Sequence, residues 1–240
     1  MLRKYLLIKF LLLGCLAVNA QTEQRPSSFS LVLNHDPAFG FYTYALGSYG
    51  LKNGVDNFTF YGIFWTNPGY GNPMLGTDLW LETGIGIGHP FAEGKGYVNP
   101  SLGFTHGKLL SGGTQGRAFE GIVPSITAFY TGNRFELEAF AAYYKSTRDQ
   151  GITSDYVLYW AYPGIRLNKL LSLGLHLEGF DLTRLEDGSG AGLYFWTGGF
   201  VKFTLRDFYT LRFSAGKNHR KGDYAPDYYK LTVAFPLLAD

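Results

Sequence analysis

His106, Ser111 and Glu120 are the residues of this sequence whose types and spacing could do covalent chemistry: an imidazole, a hydroxyl and a carboxylate within one short stretch. Such a set performs acyl transfer when the histidine serves as base for the hydroxyl and the carboxylate orients the ring. The residues around them alternate in polarity. On that alternation His106 and Glu120 fall on one apolar face, with Ser111 in the glycine-rich link between them. If that face meets lipid, the implied reaction is removal of an acyl chain at the membrane rim. A serine in a polar link and polar groups at headgroup depth are also ordinary structure, and the chain contains no His-x-Ser pair.

A second constellation is larger. Glu82, Glu136, Glu138, Arg166, His176, Glu178, Lys202, Arg212 and Lys230 each interrupt a segment of alternating apolar residues, and Trp80, Trp160, Tyr162, Tyr194, Trp196 and Phe200 share their faces. If these faces surround a lumen, two readings are open. In one, the cations Lys202, Arg212 and Lys230 on consecutive segments stand apart from Glu82, polarising a narrow, partly aromatic pore suited to a small planar or zwitterionic solute. In the other, the charges pair and plug the interior; contacts such as Lys202 to Glu178 or Arg166 to Glu136 would mark it. The expectation carried forward is the polarised lumen. Five scattered histidines and one cysteine offer no metal site, residues 84–88 carry no phosphate-loop pattern, and no cofactor is implied. His35-Asp36 reads as turn chemistry.

The elements that must position these residues are strands. From Leu193 to Leu205, Leu193, Phe195, Thr197, Val201, Phe203 and Leu205 alternate with Tyr194, Trp196, Gly198, Phe200, Lys202 and Thr204. After Arg206-Asp207 the pattern resumes, with Arg212 on one face and Leu211 and Phe213 on the other. This is period two. A charge facing lipid at mid-depth would cost roughly 2 to 4 kcal/mol, so the lone charges identify the interior face. Twelve such segments follow: 28–34, 41–51, 57–66, 78–88, 97–106, 119–130, 134–145, 155–167, 170–181, 193–205, 209–216 and 227–235. Alternation leaves the facing of the second unsettled, because it is aromatic on both sides. Pro100, Pro124 and Pro163 each predict an irregularity.

Odd-numbered segments end in longer polar breaks and even-numbered ones in tight turns, with residues 89–96 the exception. An even strand number, with both termini on the tight-turn side, predicts an all-β, twelve-stranded antiparallel transmembrane β-barrel of the outer-membrane type, its termini periplasmic. A lipocalin-like or sandwich protein would turn its apolar face inward and leave the charged face no sensible place. No stretch beyond the leader is long and apolar enough for a membrane helix, and an open sheet edge cannot sit in hydrocarbon.

Residues 1–20 read as a signal peptide, with Arg3 and Lys4 before an apolar run and Val18-Asn19-Ala20 before a polar stretch; residues 21–240 form the barrel domain. Leu12-Leu13-Gly14-Cys15 offers lipidation as an alternative. Of 21 basic residues against 19 acidic, Arg3, Lys4 and Lys9 belong to the leader, so the remainder is close to neutral and nucleic acid is not expected as a partner. The expected partners are outer-membrane lipid, the barrel-assembly machinery and a small solute.

Three runs, Phe58-Thr-Phe-Tyr-Gly-Ile-Phe-Trp65, Leu110-Ser-Gly-Gly113 with Glu120-Gly-Ile-Val-Pro124, and Tyr229-Lys-Leu-Thr-Val-Ala-Phe235, resemble an outer-membrane barrel family of Gram-negative bacteria whose function is unknown. The resemblance implies a fold and a location and brings no activity. Residues 229–235 also resemble the terminal assembly signal of such barrels, although Pro236-Leu-Leu-Ala-Asp240 follows the closing aromatic. The functions these observations leave are a narrow passive channel, a structural barrel, and a rim lipid hydrolase built on Ser111, His106 and Glu120.

Overall fold

The computed structural model describes residues 26–65, 80–107, 110, 116–147, 153–184, 190–205, 209–221 and 224–239. The segment read as a signal peptide, Cys15 and Ser111 lie outside them. Period-two alternation leaves each strand with one apolar face to hide, and no helix of the described residues is long and apolar enough to cross a membrane. The strands are β1 (Ser27–Asp36), β2 (Gly40–Gly50), β3 (Asn57–Trp65), β4 (Trp80–Phe91), β5 (Gly96–Gly107), β6 (Arg117–Thr131), β7 (Phe135–Ser146), β8 (Asp155–Arg166), β9 (Leu171–Arg184), β10 (Ala191–Leu205), β11 (Tyr209–Asn218) and β12 (Asp227–Ala239). Each pairs antiparallel with its sequence neighbour, and β1 pairs with β12, so the sheet closes and has no edge.

The apolar faces point outward. Leu173, Leu175 and Leu177 of β9 are exposed at 41%, 58% and 37%, whereas His176 and Glu178, which alternate with them, are at 0% and 1%. The second strand, unsettled in sequence, turns Tyr42 and Tyr44 inward and Phe41 and Tyr49 outward. Exposed rings and aliphatic chains all around a closed sheet suit hydrocarbon as solvent and would be an aggregation hazard in water.

Local chemistry fixes the ends. The β2–β3 turn is held by Asn53, whose side-chain oxygen accepts from the backbone N–H groups of Val55 and Asp56, while Gly54 takes a positive φ of 69°. Each of the three flagged prolines coincides with a gap in one ladder. The β4–β5 register skips Asn99 and Pro100, the β6–β7 register skips Pro124, and the β8–β9 register skips Pro163. A missing N–H leaves that rung unmade.

Two connections differ from expectation. The break after β1 is only Pro37-Ala38-Phe39, because the strand continues through Asp36 and β2 begins at Gly40. Asp36 Oδ1 accepts from the N–H groups of Ala38 and Phe39 at 3.0 and 2.8 Å, the turn role read from sequence, and the turn folds Ala38 and Phe39 into the barrel. At the other terminus β12 continues past Phe235, pairing Pro236 with Ser30 and Ala239 with Ser28 across a register shift.

Candidate functional site

The interior divides into an aromatic plug, a band of paired charges and a cavity. At the loop end, Phe39 hangs from the β1–β2 turn into the lumen. Its ring lies 4.7 Å from Trp65 on β3 and 5.9 Å from Tyr42 on β2, and also 5.6 Å from Phe180 on β9 and 6.3 Å from Tyr194 on β10. It therefore bridges opposite walls. Trp65 continues to Trp80 at 5.3 Å and Trp80 to Tyr144 at 6.1 Å, while Tyr194 stacks on Trp196 at 4.1 Å and Trp196 on Tyr228 at 4.8 Å. What remains between Phe39, Trp65, Trp80, Tyr144, Leu158 and Phe180 is a void of about 10 Å³, no more than a water's worth of space. Trp80 and Trp196 were expected inside. Phe39, Tyr42 and Trp65 were missed, although the alternation of Phe58, Phe60 and Phe64 carried the signal for Trp65.

Beneath the plug the charges pair. Lys230 Nζ lies 2.7 Å from Glu178 and 3.6 Å from Asp36; Glu178 also takes the hydroxyl of Tyr194 at 2.8 Å and lies 3.2 Å from His176 Nε2. On the turn side of this cluster, Lys202 meets Glu136 at 2.8 Å and Glu138 at 3.3 Å, and Arg212 meets Glu138 at 2.5 Å. The Arg212 guanidinium covers the Tyr162 ring at 3.8 Å, an added cation–π contact. The polarised lumen is thus corrected. The cations of β10 to β12 do sit on consecutive strands, but they meet carboxylates: Lys202 and Arg212 reach to β7, and Lys230 reaches to β9 and to Asp36 on the adjacent β1. The particular pairs, Lys202 with Glu136 and Glu138 and Lys230 with Glu178, differ from those the sequence suggested. Arg166 does not meet Glu136; it sits at the turn-end rim, donating to the Gly132 carbonyl at 3.3 Å.

Between the plug and the turn end lies a cavity of about 550 Å³. Its deep walls carry Trp65, Tyr144, Leu158 and Trp160, and its lining extends to Ser28, Ser48, Asn57 and Tyr97, residues at or near the turn ends of β1, β2, β3 and β5. Glu82 reaches this space from β4, two residues below Trp80, and is 1% exposed. Its Oε1 accepts from the Tyr61 hydroxyl at 2.8 Å. The Tyr61 ring can lie against the wall because residues 84 and 103 are glycines: a Cβ at Gly84 would come within 2.3 Å of the ring, and one at Gly103 within 2.2 Å of its hydroxyl. The Tyr144 hydroxyl also lies near the Glu82 carboxyl, but Oε2 accepts no hydrogen bond of ordinary length, and among the described residues no cation lies within ion-pair distance of it.

At the rim the expected hydrolase set is not brought together. His106 does face outward, its Nε2 3.2 Å from the Thr83 hydroxyl and its ring against Phe119. Glu120 does not. Phe119 takes a positive φ of 54°, and the β5–β6 register slips between Thr105 and Gly107. The resulting bulge reverses the alternation, as bulges do. Glu120 is thereby turned inside, fully buried, accepting from Trp80 Nε1 and from the backbone N–H of Leu110, both at 3.1 Å. Imidazole and carboxylate stand on opposite faces of the wall. Glu120 instead holds the backbone of Leu110, whose side chain is buried. Among the described residues no group of three or more histidine, cysteine or acidic side chains could hold a metal ion.

Comparison with known proteins agrees with this architecture. The chain belongs to a family described as "Family of unknown function (DUF6733)", whose model matches residues 1–237. No curated protein matches it. Among solved structures it is similar to the COG4313 outer membrane channel from Pseudomonas putida F1, at 11% identity and a TM-score of 0.55, covering 90% of this chain and 97% of that one. It is also similar to the NanC porin, at 9% identity and a TM-score of 0.51, covering 86% and 98%. At such identities the likeness concerns the fold: a closed barrel of the outer-membrane type.

Proposed function

We propose that this protein resides in the outer membrane of a Gram-negative bacterium as a barrel shut at its loop end, with its tight turns and both termini in the periplasm and a cup opening to that side. Of the channel and the structural barrel, the geometry favours a barrel closed at rest. The observation that carries this reading is the Phe39 ring, held by the Asp36 turn and touching rings on β2, β3, β9 and β10 at once. The paired charges beneath it give the same indication, since a freely conducting lumen would keep charges hydrated and available to ions. A non-enzymatic role is supported by the separation of His106 from Glu120 across the wall.

Planar-bilayer recording of the refolded protein tests the proposal. Wild type should show no steady conductance, and the Phe39→Ala, Trp65→Ala double variant should show current through the vacated space. A stable ohmic conductance from wild type would refute closure and restore the passive channel.

A further inference from the structure

We propose that the periplasm-facing cavity is a binding site for a small organic cation, an amine or amidine on an apolar body, with Glu82 as its anchor. The cavity volume, about 550 Å³, lies within the range of small-molecule sites. Its walls combine apolar and aromatic surface from Ile63, Phe140, Tyr144 and Trp160 with the single unpaired carboxylate at the closed end. A buried carboxylate with a free oxygen is costly, and a cation with N–H donors would supply both the countercharge and the missing hydrogen bond.

The charge inventory gives the sign. Lys202, Arg212 and Lys230 also line the cavity, yet each is already held by Glu136, Glu138, Glu178 or Asp36. An anion would have to break one of these pairs, whereas a cation at Glu82 breaks none. Tyr61, fixed in its glycine cradle, leaves Oε2 directed to the ligand by occupying Oε1. Aromatic faces around an ammonium or amidinium add cation–π attraction. A bare metal ion fits poorly, because one carboxylate and aromatic walls do not supply its ligand shell.

The site lies below the plug and requires only the turn-end mouth, so it stands or falls independently of the conductance experiment. The test is calorimetric titration of the refolded full chain with a matched planar series: benzamidinium, benzamide and benzoate. Benzamidinium should bind at one site, at least tenfold more tightly than the other two. Glu82→Gln, which preserves shape and the Tyr61 hydrogen bond, should weaken it at least tenfold, and Glu93→Gln on an exposed turn should leave it unchanged. If Glu82→Gln does not refold, the wild-type preference within the series decides alone. Preference for benzoate would reassign the cavity to Lys202 and Arg212; equal affinities, no binding of any probe, or unchanged binding in Glu82→Gln would overturn the proposal.

Discussion

Replacing Lys230 with methionine removes the cation on which three strands converge while keeping the length of its aliphatic stem. In the folded barrel Lys230 on β12 binds Glu178 of β9 at 2.7 Å and lies 3.6 Å from Asp36 of β1, and all three side chains are nearly or fully buried. Without it, two carboxylates are left in one enclosed space. Breaking a buried pair by deleting one partner typically costs about 3 to 5 kcal/mol. The lower end applies, because the remaining donors stay in place: Tyr194 and His176 on Glu178, and the N–H groups of Ala38 and Phe39 with the Tyr42 hydroxyl on Asp36. The expected loss is therefore about 3 kcal/mol. With a urea slope of about 1 to 3 kcal/mol per molar, the unfolding midpoint in lipid vesicles, followed by tryptophan fluorescence, should fall by roughly 1 to 3 M. Lys230→Met combined with Glu178→Gln should recover part of this, since it removes the stranded charge. A loss under about 1 kcal/mol in the single variant, or a double variant as unstable as the sum of its parts, would show that these charges are hydrated and not paired.

Two further outcomes follow from other parts of the wall. Leu175→Arg, mid-strand on the lipid face of β9, should cost about 2 to 4 kcal/mol in vesicle unfolding, and Leu171→Arg at the turn end of the same strand only about 0 to 1; equal costs would contradict the depth assigned to them. In the β2–β3 turn, hydrogen bonds from His89 and then Asn53 hold the Asp56 carboxyl below the usual aspartate value. A depressed folded value contributes stability above the unfolded one and loses it as pH falls through the folded one. Wild type should accordingly lose more stability than Asp56→Asn on acidification below about pH 4, and parallel acid limbs would count against the contact.

The barrel was legible because its solvent is unambiguous. Each strand must show one apolar face to lipid, so a single buried charge such as Glu178, in alternation with Leu173, Leu175 and Leu177, assigned the whole of β9, and the same logic assigned β4, β7 and β12. Where both faces are aromatic, as in β2, the rule has nothing to separate. Glu120 shows the other limit. Alternation is a statement about unbroken extended backbone, and one residue in the left-handed region, Phe119, reverses it without altering the sequence pattern on either side. A bulky residue at positive φ has no sequence signature comparable to glycine's.

Partner choice inside the barrel was hidden for a different reason. Period two tells which face a residue takes but not its height along the axis, and in a closed barrel strand tilt and stagger set that height. Lys202 and Arg212 are direct cross-strand neighbours, and β9 places Ser172 and not Glu178 beside Lys202. Glu178 is six residues farther toward the loop end, where the stagger of β9 to β12 brings it level with Lys230, while Glu136 and Glu138 on β7 arrive at the height of Lys202. Glu82 on β4, by contrast, has no cation within ion-pair distance among the described residues. On the proposal made above, its countercharge comes from outside the wall, through the turn-end mouth.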